Sequence, residues 1–180
     1  VSLIFQTVLL YDRNTLYQSN ILLWEDTLKK APGKLRALHN LSHFYLMEKN
    51  YKQAFVALHS LAKSNASPHY VSYAHSNLGT LYLQLEEYQK AEAEFKKGIE
   101  VQPSRPSNYL NLGTIYASQE RYQKALDAYE KAESLYKNYK WGVQASPELY
   151  LNKARLLFRL GLYKEAENSA NYFLKLVPAP

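Results

Sequence analysis

Two histidines, His39 and His43, stand four residues apart. On a helix that spacing puts both imidazoles on one face, where they can share a metal ion. The residues between them are Asn40, Leu41 and Ser42, so the glutamate of a zinc-hydrolase helix is missing, and no third ligand stands nearby. The pair is read as surface lining and not as a metal site. His59, His69 and His75 are scattered, and no serine sits in a G-x-S-x-G turn. The acidic pairs Glu86–Glu87 and Glu92/Glu94 read as solvated helix ends or faces. With no cysteine in 180 residues, disulfides, thiolate metal sites and cysteine nucleophiles are excluded, and the six glycines build no phosphate-cradling loop. Nothing assembles a nucleophile, a base and an orienting group. The chain reads as non-catalytic, with no cofactor and no metal.

The charge points the same way. Lys plus Arg is 22 against 16 for Asp plus Glu, a net +6. The excess is spread along the chain with no run of five like charges, so no nucleic-acid partner is expected. A hydrophobic content of 47% argues against disorder.

The elements that would position any binding residue are set by a repeat. Four tetrapeptides align: Tyr51 to Ala54, Tyr88 to Ala91, Tyr122 to Ala125 and Tyr163 to Ala166. Their alanines are spaced 37, 34 and 41 residues apart. Thirteen residues before each alanine stand Leu41, Leu78, Leu112 and, as a deviation, Lys153. A small residue follows each time: Ser42, Gly79, Gly113, Ala154. Three further on come Tyr45, Tyr82, Tyr116 and Leu157, and four after the alanines come Leu58, Phe95, Tyr129 and Ala170. Leu41, Ser42 and Tyr45 share one helical face, as do Ala54, Leu58 and Leu61. The small residue and the alanine permit close helix approach, and the large residue after the alanine is expected to fill the gap toward the neighbouring unit. Most of the 17 tyrosines are therefore scaffold. Pro103 and Pro178 fall twelve residues after their alanines. Two insertions break the period, one around Ser67 to Tyr70 and one around Asn138 to Gly142. Trp141 in the second either plugs a seam or offers an exposed contact.

This pattern resembles the tetratricopeptide repeat, a helix–turn–helix unit of about 34 residues. The resemblance implies an all-α, right-handed superhelical solenoid of about five antiparallel helix pairs. Four units register at 35–68, 72–105, 106–139 and 147–180. A degenerate pair fits 1–34, with Trp24 at the aromatic place and Pro32 at the proline place but Val8 and Asn20 in place of the small and alanine signatures.

The resemblance also implies a concave groove lined by the first helix of each unit. Carried over place by place, it selects Arg36, His39, Asn40 and His43, then Tyr73, Asn77 and Thr80, then Asn111 and Thr114, then Asn152, Arg155 and Arg159, with Ser76 and Leu110 at the fifth place of their units. Asparagine recurs at the sixth place in all four units, as Asn40, Asn77, Asn111 and Asn152. A row of primary amides can pair with the backbone of an extended peptide without reading its side chains. The row is similar to the asparagine ladder of the O-linked N-acetylglucosamine transferase repeats, although such an amide can instead bond to an adjacent helix. The lysine and asparagine of a chaperone-tail carboxylate clamp are replaced by His39 and His43. Arg155 and Arg159 could receive an acidic group, or could form a solvated basic face.

A second resemblance covers only about 40 residues. Arg13-Asn14, Leu23-Trp24-Glu25-Asp26, Pro32 and Asn40-Leu41 are similar to the segment that joins the last membrane helix to the repeats in transmembrane-and-TPR, O-mannosyltransferase-like membrane proteins. It would place the repeats on the non-cytoplasmic side, the periplasm in a bacterium. The apolar stretch Val1 to Leu10 is too short for the ~20 residues of a membrane span. It reads either as a core-facing helix or as the end of a membrane anchor upstream of Val1. The function expected is a protein-interaction scaffold holding an extended peptide or partner helix in its groove. Two alternatives stay open: a substrate-presenting domain of a membrane glycosyltransferase-like protein, and a homo-oligomer formed through an uncovered C-terminal helix near Tyr172, Phe173 and Leu176.

Overall fold

Prolines open helices along this chain and left-handed residues close them. A computed structural model describes residues 20–138 and 145–177. Val1 to Leu10, Arg13-Asn14, Trp141 and Pro178 lie outside the described residues. Within them a helical segment over 20–30 (α1) is followed by α2 (Leu35–Met47), α3 (Tyr51–Ala62), α4 (Pro68–Gln84), α5 (Tyr88–Val101), α6 (Pro106–Ser118), α7 (Tyr122–Lys137), α8 (Pro147–Arg159) and α9 (Tyr163–Leu176). There is no strand among the described residues.

Pro68, Pro106 and Pro147 are first residues of α4, α6 and α8, where the missing N–H costs nothing and the fixed φ favours the helix. The four repeat tyrosines open α3, α5, α7 and α9. The turn before each of these helices has one geometry. Lys49, Glu86, Glu120 and Gly161 occupy equivalent places and have φ of 56°, 59°, 59° and 76°. The next residue's N–H then reaches back to close the turn: Asn50 to the Tyr45 carbonyl at 2.8 Å, Glu87 to Tyr82 at 2.9 Å, Arg121 to Tyr116 at 2.8 Å and Leu162 to Leu157 at 3.0 Å. This is the Schellman closure of a helix C-terminus. The residues near Ser67 to Tyr70, which break the repeat period, add a turn to the start of α4. Proline at the first helical position makes that extension favourable.

Each helix packs mainly on its pair partner and next on the adjoining helix of the neighbouring pair. Beyond these neighbours, α4 touches α6 and α6 touches α8, while no two second helices make comparable contact among the described residues. The array therefore curves with its first helices inside. The solenoid core runs through the pairs. Leu58, Leu61, Leu78, Phe95, Ile115, Tyr129 and Leu149 are wholly buried, and each contributes about 1.5–3 kcal/mol by leaving water.

The large residues after the alanines fill a different gap from the one expected. A Cβ placed on Gly79 would lie 2.7 Å from the Phe95 ring, and one on Gly113 would lie 2.4 Å from the Tyr129 ring. These rings fill the space inside their own helix pair, α4–α5 and α6–α7. They reach it because the facing residue has no side chain.

Candidate functional site

The first helices carry the residues selected for the groove. Thr114, Asn152, Arg155 and Arg159 come together around a cleft of about 230 Å³ between α6 and α8, with Ser118 and Tyr122 also on its walls. Asn152 Nδ2 donates to Thr114 Oγ1 at 3.3 Å, and Thr114 Oγ1 donates to the Leu110 carbonyl at 3.1 Å. Tyr129 OH lies 3.5 Å from the same hydroxyl, and burial pushes its pKa up against the opposing effect of that contact. Arg155 and Arg159 are exposed, and neither has a carboxylate within ion-pair distance among the described residues.

Toward the N-terminus, the His39 ring lies between two rings of the next unit, 4.8 Å from Tyr70 and 4.4 Å from Tyr73. Burial raises the Tyr73 pKa. His69, next to Tyr70, is held below the usual histidine value by burial and then by the positive charge of Arg105. His43 is exposed, with its ring 5.6 Å from Phe44. Arg36 is exposed in the first turn of α2 and makes no hydrogen bond or ion pair among the described residues. Thr80 is exposed with its hydroxyl bonded to the Ser76 carbonyl at 3.0 Å.

The four asparagines are all half-buried. Asn40 Oδ1 meets His39 Nδ1 at 3.2 Å, and Asn77 Nδ2 donates to the Tyr73 carbonyl at 2.9 Å. With the Asn152 bond to Thr114, three of the four use one half of the amide within the protein, and the other half has no hydrogen-bond partner among the described residues. No hydrogen bond engages the Asn111 side chain among the described residues.

Two selected places do not face the groove. Ser76 and Leu110, at the fifth place, are buried at 8% and 6% exposure. In these two units the place turns toward the seam between units. Ser76 Oγ donates to the Ser72 carbonyl at 2.8 Å and lies 2.5 Å from Asn108 Oδ1, while Leu110 joins the core around Phe95 and Ile115. Asn108 is the residue that sequence reasoning missed. It is wholly buried, it stands 2.7 Å from where a Cβ on Gly98 would lie, and Ser72 Oγ donates to the Gly98 carbonyl at 2.9 Å. One polar cluster thus ties α4, α5 and α6, and glycine at position 98 was its only sequence trace.

Glu92 and Glu94 are half-buried and paired, not solvated. Tyr116 OH donates to Glu92 at 3.1 Å and Arg121 at 3.0 Å, which joins α5 to the next unit. Glu94 meets His75 Nδ1 at 2.7 Å and Lys97 at 2.7 Å. Glu133 is held in the same way by Lys137 and by Lys153 of α8, each at 2.7 Å. Burial pushes all three carboxylates up, but the hydrogen bonds from their basic partners outweigh it and hold them below the usual carboxylate range. An acid on a second helix reaching the next unit, invisible as a local motif, is what stitches the array. At the other end, Tyr45 OH donates to Glu25 at 2.6 Å and anchors α1 on α2.

Among the described residues no three His, Asp or Glu side chains gather as a metal site, and no helix is long and apolar enough to cross a membrane. Near Tyr172, Phe173 and Leu176, Tyr172 is half-exposed with its ring stacked 5.3 Å from Tyr150.

The fold of the chain is similar to a crystal structure of MamA, with TM-score 0.70 at 21% identity over 91% of this chain and 90% of that one. It is similar also to pilF of Pseudomonas aeruginosa, with TM-score 0.76 at 19% identity over 97% and 75%. A third similar structure is BtubC (BKLC) from P. vanneervenii, with TM-score 0.74 at 18% identity over 94% and 79%. At these identities the likeness establishes the fold alone. No curated protein sequence matches significantly. Two family profiles described as tetratricopeptide repeat match residues 71–138 and 147–176, together more than half of the chain. The chain belongs to the tetratricopeptide-repeat family of helical, generally non-catalytic protein-interaction scaffolds.

Proposed function

We propose that the chain holds an extended peptide segment of a partner protein along the concave face made by α2, α4, α6 and α8. Units at 35–68, 72–105, 106–139 and 147–180, preceded by a degenerate pair at 1–34, form the scaffold. Asn40, Asn77, Asn111 and Asn152 bind the peptide backbone. Arg36, His39, His43, Tyr73, Thr80, Thr114, Arg155 and Arg159 provide the surrounding contacts.

One observation carries the reading. Every asparagine of the row is half-buried on an inner helix, and each keeps at least one half of its amide without a partner among the described residues. An amide held in place on one side and open on the other is a preorganised backbone receptor. Partner side chains need not match for such pairing, which suits a scaffold that accepts extended segments.

The test is direct observation of the side-chain amides by NMR. A peptide selected from a random display library is titrated into the labelled protein. The four asparagine NH₂ pairs are expected to shift together. Shifts confined to the second helices would contradict the reading.

A further inference from the structure

The last helix pair lacks the ring that fills the two pairs before it. In α4–α5 the facing residues are Gly79 and Phe95, and in α6–α7 they are Gly113 and Tyr129. Phe95 and Tyr129 are 0% and 1% exposed. The equivalent residues of α8–α9 are Ala154 and Ala170. Both line an open cleft of about 570 Å³ whose rim carries Phe158 and Tyr163. Those two rings lie 5.3 Å apart and are 65% and 64% exposed. Ala170 stands where Phe95 and Tyr129 supply a ring in the two preceding pairs, so this pair has no ring of its own at that place.

The charge at this place also departs from the repeat. The ninth and thirteenth places are Thr80 and Gln84 in α4 and Thr114 and Ser118 in α6, all uncharged. In α8 they are Arg155 and Arg159. Both arginines line this cleft as well as the smaller one between α6 and α8. Glu167 lies on the far wall, yet no ion pair joins it to either guanidinium among the described residues. An open, largely apolar cleft beside two cations that have no carboxylate partner among the described residues defines its complement.

We propose that the α8–α9 cleft is a specificity subsite that takes an aromatic side chain of the bound partner segment, with an adjacent Asp or Glu of that segment on Arg155 and Arg159. This rests on the reading of the inner face as a peptide groove. It adds side-chain selection at the C-terminal end to backbone recognition along the row.

The probe is a fluorescein-labelled Gly/Ser dodecapeptide with Phe-Glu-Glu at its centre, measured by anisotropy beside its Phe→Ala and Glu→Gln counterparts. The first is expected to bind at least tenfold more tightly than either counterpart, and its advantage over the Glu→Gln peptide should shrink with added salt. Ala154→Gly with Ala170→Phe recreates the Gly79/Phe95 arrangement inside the protein. This variant should keep or raise Tm and lose the Phe-dependent advantage. Arg155→Gln with Arg159→Gln should lose only the Glu-dependent part. Equal binding of the three peptides, no binding of any, or full Phe preference in the filled variant would overturn the subsite. A concentration-dependent dimer in sedimentation that the filled variant abolishes would assign the cleft to a second copy, and would overturn it too. The groove reading fails separately. In that case Asn40, Asn77 and Asn111→Ala leaves all affinities unchanged while the Phe and Glu preferences persist.

Discussion

The Phe95 ring lies where a side chain on Gly79 would have to stand, with 2.7 Å between its edge and an ideal Cβ. Tyr129 and Gly113 repeat the relationship in the next pair at 2.4 Å. In the first pair the facing residues are Ser42 and Leu58, both 0% exposed, and in the last they are Ala154 and Ala170. Within one sequence, the larger partner appears wherever the smaller one shrinks to glycine. Packing at native density explains this, since the gap must be filled without overlap.

Gly79→Ala is expected to destabilise the fold by about 1–3 kcal/mol, because the ring cannot retreat inside a closed helix pair. Phe95→Leu, which approaches the Ser42/Leu58 arrangement, should recover most of that loss when combined with it. Chemical denaturation of the two single variants and the double gives the coupling energy. Simple additivity would contradict the packing described.

The turns make an opposite pair of expectations. Glu120 has φ 59° without being glycine, whereas Gly161 has φ 76° at the equivalent place. Glu120→Gly should stabilise by up to about 1 kcal/mol, and Gly161→Ala should cost about 1–2 kcal/mol, in line with the left-handed penalty for a side chain. Thermal melts of both variants check the sign.

The repeat was legible because it rests on residue size and on helical spacing. Ala54, Ala91, Ala125 and Ala166 marked the second helices, and every one of those helices begins at the tyrosine three residues earlier. Asn108 and Glu133 were not legible. Each acts across a seam, on Ser76 32 residues away and on Lys153 20 residues away, and no local spacing encodes such a pairing. The fifth place failed for the same reason in the two middle units. Ser76 and Leu110 sit on an inner helix, but at an angle that faces the neighbouring helix.

Removal of the buried amide should be costly. Asn108→Ala leaves Ser72 and Ser76 with fewer partners in a closed site and opens a void, with an expected loss of about 1–3 kcal/mol. Hydrogen exchange should report the loss first at α4, α5 and α6. Unchanged protection there would mean that the cluster does not join the units.

Acid should loosen these pairings, between units at Glu92 and Glu133 and within the α4–α5 pair at Glu94, in a defined window. Glu92, Glu94 and Glu133 are held below their ordinary 4.5 in the folded chain. Each therefore contributes stability that is complete above the unfolded value and is lost as pH falls below about 4.5 through the folded values. A Glu92, Glu94 and Glu133→Gln variant should be less stable than wild type at pH 7 and should show a shallower decline of Tm below pH 4.5. Parallel Tm curves for the two proteins would contradict this.

The central claim is that the inner row of amides binds peptide backbone. Its most direct measurement is the Kd of a display-selected peptide for wild type and for the Asn40, Asn77, Asn111 and Asn152→Ala variant, with circular dichroism confirming that both are equally helical. A rise in Kd of at least tenfold with helicity retained is the result expected. An unchanged Kd would make the row a structural feature and move peptide binding to another face.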